Sequence, residues 1–203
     1  MTVRYLALGD SYTIGEGVDA DMRWPVQLAR ALREEGIELR DPRIIATTGW
    51  TTDELASAID AAEPLGHWDL VSLLIGVNNQ YRNRSLADYR TEFAELLARA
   101  IGFANGRADR VLVLSIPDWA ITPFGINEAP TRGDVSGEID AFNAIAREIA
   151  EARGVAYVDI TPASRERGAD ADQVAEDGLH PSAAMYTTWT GLALPVVRRL
   201  MAR

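Results

Sequence analysis

His67 and His180 are the only imidazoles in this chain of 203 residues, and the chain has no cysteine. Acid–base chemistry near neutral pH therefore falls to one of two rings. Thiol nucleophiles, thiolate metal sites and disulfides are excluded. His180 stands three residues after Asp177 in Asp177-Gly178-Leu179-His180-Pro181, across a glycine turn that lets the carboxylate reach the imidazole. Near the other end of the chain, Gly9-Asp10-Ser11-Tyr12 sets a serine just beyond a glycine that ends an apolar run. Serine is a weak nucleophile alone and needs a neighbouring base, for which neutral imidazole is suited. Thr47-Thr48-Gly49-Trp50 and Gly76-Val77-Asn78-Asn79 add a glycine N–H and a side-chain amide. Neutral donors of this kind stabilise a developing oxyanion. Serine, imidazole, carboxylate and neutral donors are the parts of an acyl-transfer site. Singly, each is as well explained by a turn, a helix cap or a surface position. The combination counts only if the fold gathers the four stretches.

The elements that would gather them are legible as alternation. Apolar, β-branched-rich segments at 3–8, 43–47, 70–75, 111–116 and 155–160 alternate with stretches of helical period. A helix over 25–35 begins with proline at an early position, where its missing N–H costs nothing. Thr51-Thr52-Asp53-Glu54 has capping-box spacing and opens a helix to about residue 62. Ser85 caps a longer one, with Leu86, Tyr89, Phe93, Leu96, Leu97 and Ile101 on one face. Ile139, Phe142, Ile145, Ala146 and Ile149 mark another, and Ser182 caps a last helix to about residue 202, expected to bend or restart near Pro195. Strands buried on both faces, each followed by a helix, predict a parallel sheet. With right-handed crossovers this is a three-layer α/β/α sandwich on a five-stranded, doubly wound sheet, in a single domain spanning 1–203. Ligands in such sheets bind beyond the carboxyl ends of the strands. The four polar stretches follow the first, second, third and fifth strands, which places them on that rim.

Composition narrows the partners. A net charge of −10 argues against nucleic acid and against an anionic membrane surface. No apolar run approaches the ~18–20 residues of a membrane span, and the chain opens directly on a strand, so no signal peptide and a cytoplasmic location are expected. The carboxylates show no metal-ligand clustering, and neither metal nor cofactor is expected. Gly15-Glu16-Gly17-Val18-Asp19-Ala20 fits a dinucleotide fingerprint by spelling alone, since it lies past the strand end with no helix opening at the second glycine. His67 precedes the third strand, on the rim opposite the polar stretches, and reads as structural or surface. No Gly-x-Ser-x-Gly elbow occurs.

Taken in order, Gly9-Asp10-Ser11-Tyr12, Gly49, Gly76-Val77-Asn78-Asn79 and Asp177-Gly178-Leu179-His180-Pro181 resemble the four blocks of the GDSL, or SGNH, hydrolase family, from residue 5 to about 185. The resemblance implies a flavodoxin-like sheet and serine esterase activity without a cofactor. It implies Ser11 as nucleophile, His180 as general base and Asp177 as the group that holds its ring. The oxyanion donors would be the N–H groups of Ser11 and Gly49 and the amide of Asn78. Two positions depart from the pattern: Asn79 stands where the family more commonly has aspartate, and Tyr12 replaces leucine. Asp10, Trp50, Asn79 and Tyr81 are the expected substrate-binding residues. The long connection 117–137 carries Trp119, Ile121, Pro123, Phe124 and Ile126, and reads either as a satellite core or as a wall or partial lid. Arg82 and Arg84 read as solvated in preference to contacts for a polar leaving group. The expected partner is a small ester, a short-chain acyl ester or an acetylated carbohydrate. The alternatives are lysophospholipid or thioester hydrolysis and, in another class, a non-catalytic small-ligand binding module on the same fold.

Overall fold

The computed structural model describes residues 2–202. Five parallel strands form one sheet in the order β2-β1-β3-β4-β5, with β1 at Tyr5–Gly9, β2 at Arg43–Ala46, β3 at Leu70–Leu74, β4 at Val111–Leu114 and β5 at Ala156–Val158. The three inner strands are buried along their whole length, and the two edge strands carry the partly exposed residues. That is why β1 and β4 read as apolar runs, and β3 as one interrupted only by Ser72, whose buried hydroxyl pairs with that of Tyr5. Register is shared across the centre: Leu8 lies opposite Ile45 on one side and Leu73 on the other. In this order the chain reverses direction across the sheet between β1 and β3. That topological switch opens a crevice at their carboxyl ends.

Nine α-helices complete the described chain: α1 (Ser11–Ile14), α2 (Trp24–Glu34), α3 (Thr52–Ala62), α4 (Val77–Tyr81), α5 (Leu86–Phe103), α6 (Pro123–Glu128), α7 (Val135–Ala152), α8 (Thr161–Arg167) and α9 (Ala183–Met201). α2 packs against α9, while α3, α5 and α7 pack in succession, giving a layer on each side of the sheet. Trp24 and Trp189 are fully buried in the first layer, Tyr89 and Phe93 in the second. The α/β/α sandwich read from strand–helix alternation is the observed fold. No helix among the described residues is long and apolar enough to cross a membrane.

The differences are local. α9 runs unbroken through Pro195 instead of restarting there. Proline removes the hydrogen bond to the carbonyl of Gly191, and both residues are exposed, so water can take that carbonyl. The connection 117–137 is partly regular, holding α6, a 3₁₀ turn at Ala129–Thr131 and the start of α7. The short helices α1, α4, α6 and α8 have too few residues to show a period.

Candidate active site

Ser11 owes its place to Gly9. A Cβ on Gly9 would lie 2.5 Å from the carbonyl oxygen of Leu74 on the neighbouring strand, so only glycine lets β1 close against β3 and turn. Asp10 then caps α1, its Oδ1 accepting the Tyr12 N–H at 3.0 Å, which makes Ser11 the first helical residue. Asp10 is fully buried and its Oδ2 makes no hydrogen bond. Burial pushes its carboxyl up to about 7, against the pull of the backbone N–H groups of Tyr12, Asp10 and Gly76.

Two further strand ends deliver the neutral donors. Gly49 follows β2 with φ at +89° and Gly76 follows β3 with φ at +132°, both in territory that side-chain-bearing residues rarely enter. A Cβ on Gly76 would sit 2.7 Å from the Tyr89 ring. Asn78, in the first turn of α4, donates from Nδ2 to the Trp50 carbonyl at 2.9 Å. Its amide carries a second hydrogen, and the residue faces the same cavity as Ser11 and Gly49.

The last part comes from the loop between α8 and α9. Asp177 Oδ2 lies 2.6 Å from His180 Nδ1, and its Oδ1 accepts the N–H groups of Leu179 and His180, each at 2.9 Å. Gly178 takes the left-handed turn between them at φ +69°. Burial pushes the Asp177 carboxyl up, but the His180 ring and the two N–H groups outweigh it and hold it below its ordinary value. A carboxylate on Nδ1 fixes the proton there and leaves Nε2 as the basic atom. The loop is closed by Ala175 N–H donating to the His180 carbonyl at 2.7 Å and by Ser182 N–H donating to the Gln173 carbonyl at 2.9 Å. The rings of Tyr12 and Trp189 form an edge-to-face chain that ends on the His180 ring.

Ser11, Gly49, Asn78 and His180 line one cavity of about 240 Å³. Its remaining wall is largely apolar, with Tyr81, Trp119, Phe124 and Leu179 prominent. The 117–137 connection thus forms a wall of the cavity and packs on the core as well. Trp119 is buried, its Nε1 donating to Gln80 at 2.9 Å, and the Phe124 N–H donates to the Gly178 carbonyl at 3.0 Å. The cavity thus brings together a serine hydroxyl, an imidazole with an oriented ring and neutral N–H donors.

Of the four residues read as substrate-binding, Tyr81 lines the cavity and three do not. Asp10 is sealed beneath α1. Asn79 is fully buried, accepting the Thr52 N–H at 3.1 Å and donating to Thr52 Oγ1 at 2.6 Å. Trp50 packs on the core, and its carbonyl accepts the Asn78 amide. Each site residue has one sequence neighbour on the cavity (Tyr12, Thr48, Val77 and Leu179) and one turned away from it, and the motif spelling does not say which is which. Arg82 and Arg84 are not simply solvated: they pair with Glu54 at 3.0 Å and Asp53 at 2.9 Å. His67 is exposed at the opposite rim beside Trp68. Gly15 terminates α1 in a left-handed cap, and the next α-helix starts only at Trp24, so this stretch builds no phosphate loop. Among the described residues no three or more His, Asp or Glu side chains gather as they would around a metal ion.

The sequence pattern of the GDSL-like Lipase/Acylhydrolase family matches residues 7–188. No curated protein sequence matches the chain. Among solved structures, TesA is similar at 21% identity with a TM-score of 0.76, over 97% of this chain and 99% of that one. The lipase/acylhydrolase from Enterococcus faecalis is similar at 20% identity and TM-score 0.75, over 100% of this chain and 97% of that one. The W215I form of Axe2, an acetyl xylan esterase from Geobacillus stearothermophilus, aligns at 20% identity and TM-score 0.73, over 96% and 94% of the two chains. At such identities the likeness is one of fold. The family match is of another kind: it begins inside β1 and ends inside α9, taking in every strand of the sheet, and the chain belongs to the GDSL-like lipase/acylhydrolase family.

Proposed function

We propose that this hydrolase acts on carboxylic esters by acyl transfer through Ser11. His180 Nε2 takes the Ser11 hydroxyl proton as Oγ attacks the ester carbonyl. The negative charge moves to the carbonyl oxygen, which the N–H groups of Ser11 and Gly49 and the Asn78 amide receive. His180 then returns the proton to the departing alcohol, leaving an acyl-serine. A water molecule repeats the cycle in reverse roles, and the carboxylic acid leaves. Asp177 holds the ring throughout and steadies the imidazolium without taking its proton.

The observation that carries this reading is the convergence of Ser11, Gly49, Asn78 and His180 on one cavity, with Asp177 already on the far ring nitrogen. The substrate side is small. About 240 Å³ lies below the ~300–1,000 Å³ typical of sites for drug-sized ligands, which favours short acyl groups or acetyl esters of carbohydrates over long lipids. A structural neighbour described as an acetyl xylan esterase is in keeping with that choice. The test is Ser11→Ala. It is expected to abolish hydrolysis of p-nitrophenyl acetate and labelling by a fluorophosphonate; undiminished turnover in that variant overturns the serine mechanism. A panel of acetyl to long-acyl esters, acetylated sugars, lysophospholipids and thioesters then locates the substrate, and no turnover on any of them would favour a binding module.

A further inference from the structure

Asn78 and Arg82 are four residues apart, and the Arg82 N–H donates to the Asn78 carbonyl at 3.0 Å in helical fashion. Residues so spaced share a helix face, and both side chains here reach the same turn after β2. Asn78 Nδ2 binds the Trp50 carbonyl at 2.9 Å, and Arg82 Nη2 binds the carbonyl just before it, that of Gly49, at 2.6 Å. The other arm of the guanidinium, Nη1, meets Glu54 Oε1 at 3.0 Å, while Glu54 Oε2 accepts the Thr51 N–H at 2.9 Å. One arginine thus spans the turn from its tip to the first residues of α3.

The turn has need of such a hold. Gly49 sits at φ +89°, and as a glycine it has several other backbone wells open to it. A Cβ built on Gly49 would have a single neighbour within 4 Å, Nη2 of Arg82 at 3.7 Å. The core does not pack this side of the glycine; the guanidinium covers it. The ion pair with Glu54 does not explain the arrangement, since both side chains are about 40% exposed (43% and 39%) and such pairs contribute little. A charged donor on a carbonyl is shorter, stronger and directional.

We propose that Arg82 is a positioning residue for the oxyanion site: by pinning the Gly49 carbonyl it fixes the Gly49–Trp50 peptide plane, which keeps the glycine in one of its backbone wells and so limits where the Gly49 N–H, in the preceding peptide plane, can point. The inference rests on the reading of Gly49 as an oxyanion donor. It departs from the solvated role read from sequence and from any role as a contact for the leaving group.

Arg82→Met, assayed on p-nitrophenyl acetate, is expected to lower kcat about 10- to 30-fold, less than the roughly 100- to 1,000-fold loss on deleting an oxyanion donor outright. KM should stay within about twofold, because the oxyanion forms only in the transition state. Arg82→Lys keeps the charge but cannot fork to both partners, so about 3- to 10-fold of the loss should persist with an unchanged thermal midpoint. That variant keeps the test open if Arg82→Met folds poorly. Combined with Asn78→Ala, the Arg82→Met loss should be smaller than the product of the two single effects, because both side chains hold one turn. A lower thermal midpoint with kcat intact overturns the proposal in favour of a structural brace. A rise in KM that follows the charge of the leaving group overturns it in favour of a substrate contact. Ser11→Ala run in parallel separates the levels: if it is dead while Arg82→Met keeps full kcat, only the positioning role falls, and if it still turns over, both readings fall.

Discussion

Asn79 departs from the aspartate of the family pattern that the sequence resembles, and its surroundings say why aspartate does not suit this chain. The side chain is fully buried. Oδ1 accepts the Thr52 N–H at 3.1 Å, Nδ2 donates to Thr52 Oγ1 at 2.6 Å, and that hydroxyl in turn donates to Glu92. The chain of donors runs one way, from amide to hydroxyl to carboxylate. Asn79→Asp replaces the first donor with an acceptor. Two carboxyl groups then compete for one hydroxyl hydrogen, and a charge is left without water around it. Asp10 supplies the scale: it is equally buried, and its carboxyl rises from 3.8 to about 7 even against the pull of the backbone N–H groups around it. At about 1.4 kcal/mol for each pH unit, a comparable rise at position 79 amounts to about 4 kcal/mol.

The sign follows from linkage. A carboxyl raised in the folded state is matched to folding only when protonated, so the penalty is absent below the unfolded value near 4 and complete above about 7. Asn79→Asp should therefore be close to the parent in stability at pH 4.5 and about 3–4 kcal/mol weaker at pH 8. Denaturant unfolding at the two pH values reads this directly, and the thermal midpoint at pH 8 should fall by roughly 10 °C. Adding Glu92→Gln should return part of the loss, because its amide can donate where the second carboxylate repelled. A loss below about 1 kcal/mol at pH 8, or one that does not change with pH, would falsify the directional-chain argument.

Asp10 offers the mirror experiment. Asp10→Asn removes a carboxyl that is costly when ionised and puts an amide at the unbonded Oδ2, so its stability relative to the parent should improve between pH 5 and pH 8 by about 2–4 kcal/mol; no relative gain over that interval in paired unfolding curves would count against the raised carboxyl. Phe124→Ala opens the cavity wall formed by α6 and should move the preferred acyl length upward, with roughly fourfold in kcat/KM for each methylene newly buried. Equal losses on acetate, butyrate and octanoate esters would show instead that Phe124 only supports the loop.

The layers and the rim were open to reading because they rest on signals that packing does not override. β1, β3 and β4 are buried on both faces, so apolar runs ending at Gly9 and Gly76 had to be strands followed by sharp turns. Asp177 and His180 sit on one glycine turn, so their contact is nearly a local property of the chain. What the sequence hid was direction. Asn78 and Asn79 are adjacent and chemically alike, yet one faces the cavity and the other is sealed against Thr52. Trp50, in the turn after β2, and Asp10, the cap of α1, illustrate the same limit: a motif spells neighbours without saying which of them turns to the cavity. Arg82 and Arg84 looked like surface charge because their partners, Glu54 and Asp53, lie about 30 positions earlier in the chain and only the sheet brings them close.

The site joins two parts that are stabilised differently. Ser11, Gly49 and Asn78 follow the ends of three adjacent strands whose shared register sets their spacing, and cross-links from α4 to the turn after β2 refine it. His180 follows the edge strand β5, the shortest in the sheet, at a remove of one helix and a loop. The sheet alone therefore says little about where its ring points. That orientation depends on contacts around the loop: the edge-to-face packing of Tyr12 on the ring, and the Phe124 N–H on the Gly178 carbonyl. Tyr12 is the residue after Ser11, so the same short helix that carries the proposed nucleophile also bears on the proposed base, His180. A change in α1 should thus disturb Ser11 and His180 together, whereas a change in α6 should reach His180 through Gly178 and leave Gly49 and Asn78 where the strand ends hold them.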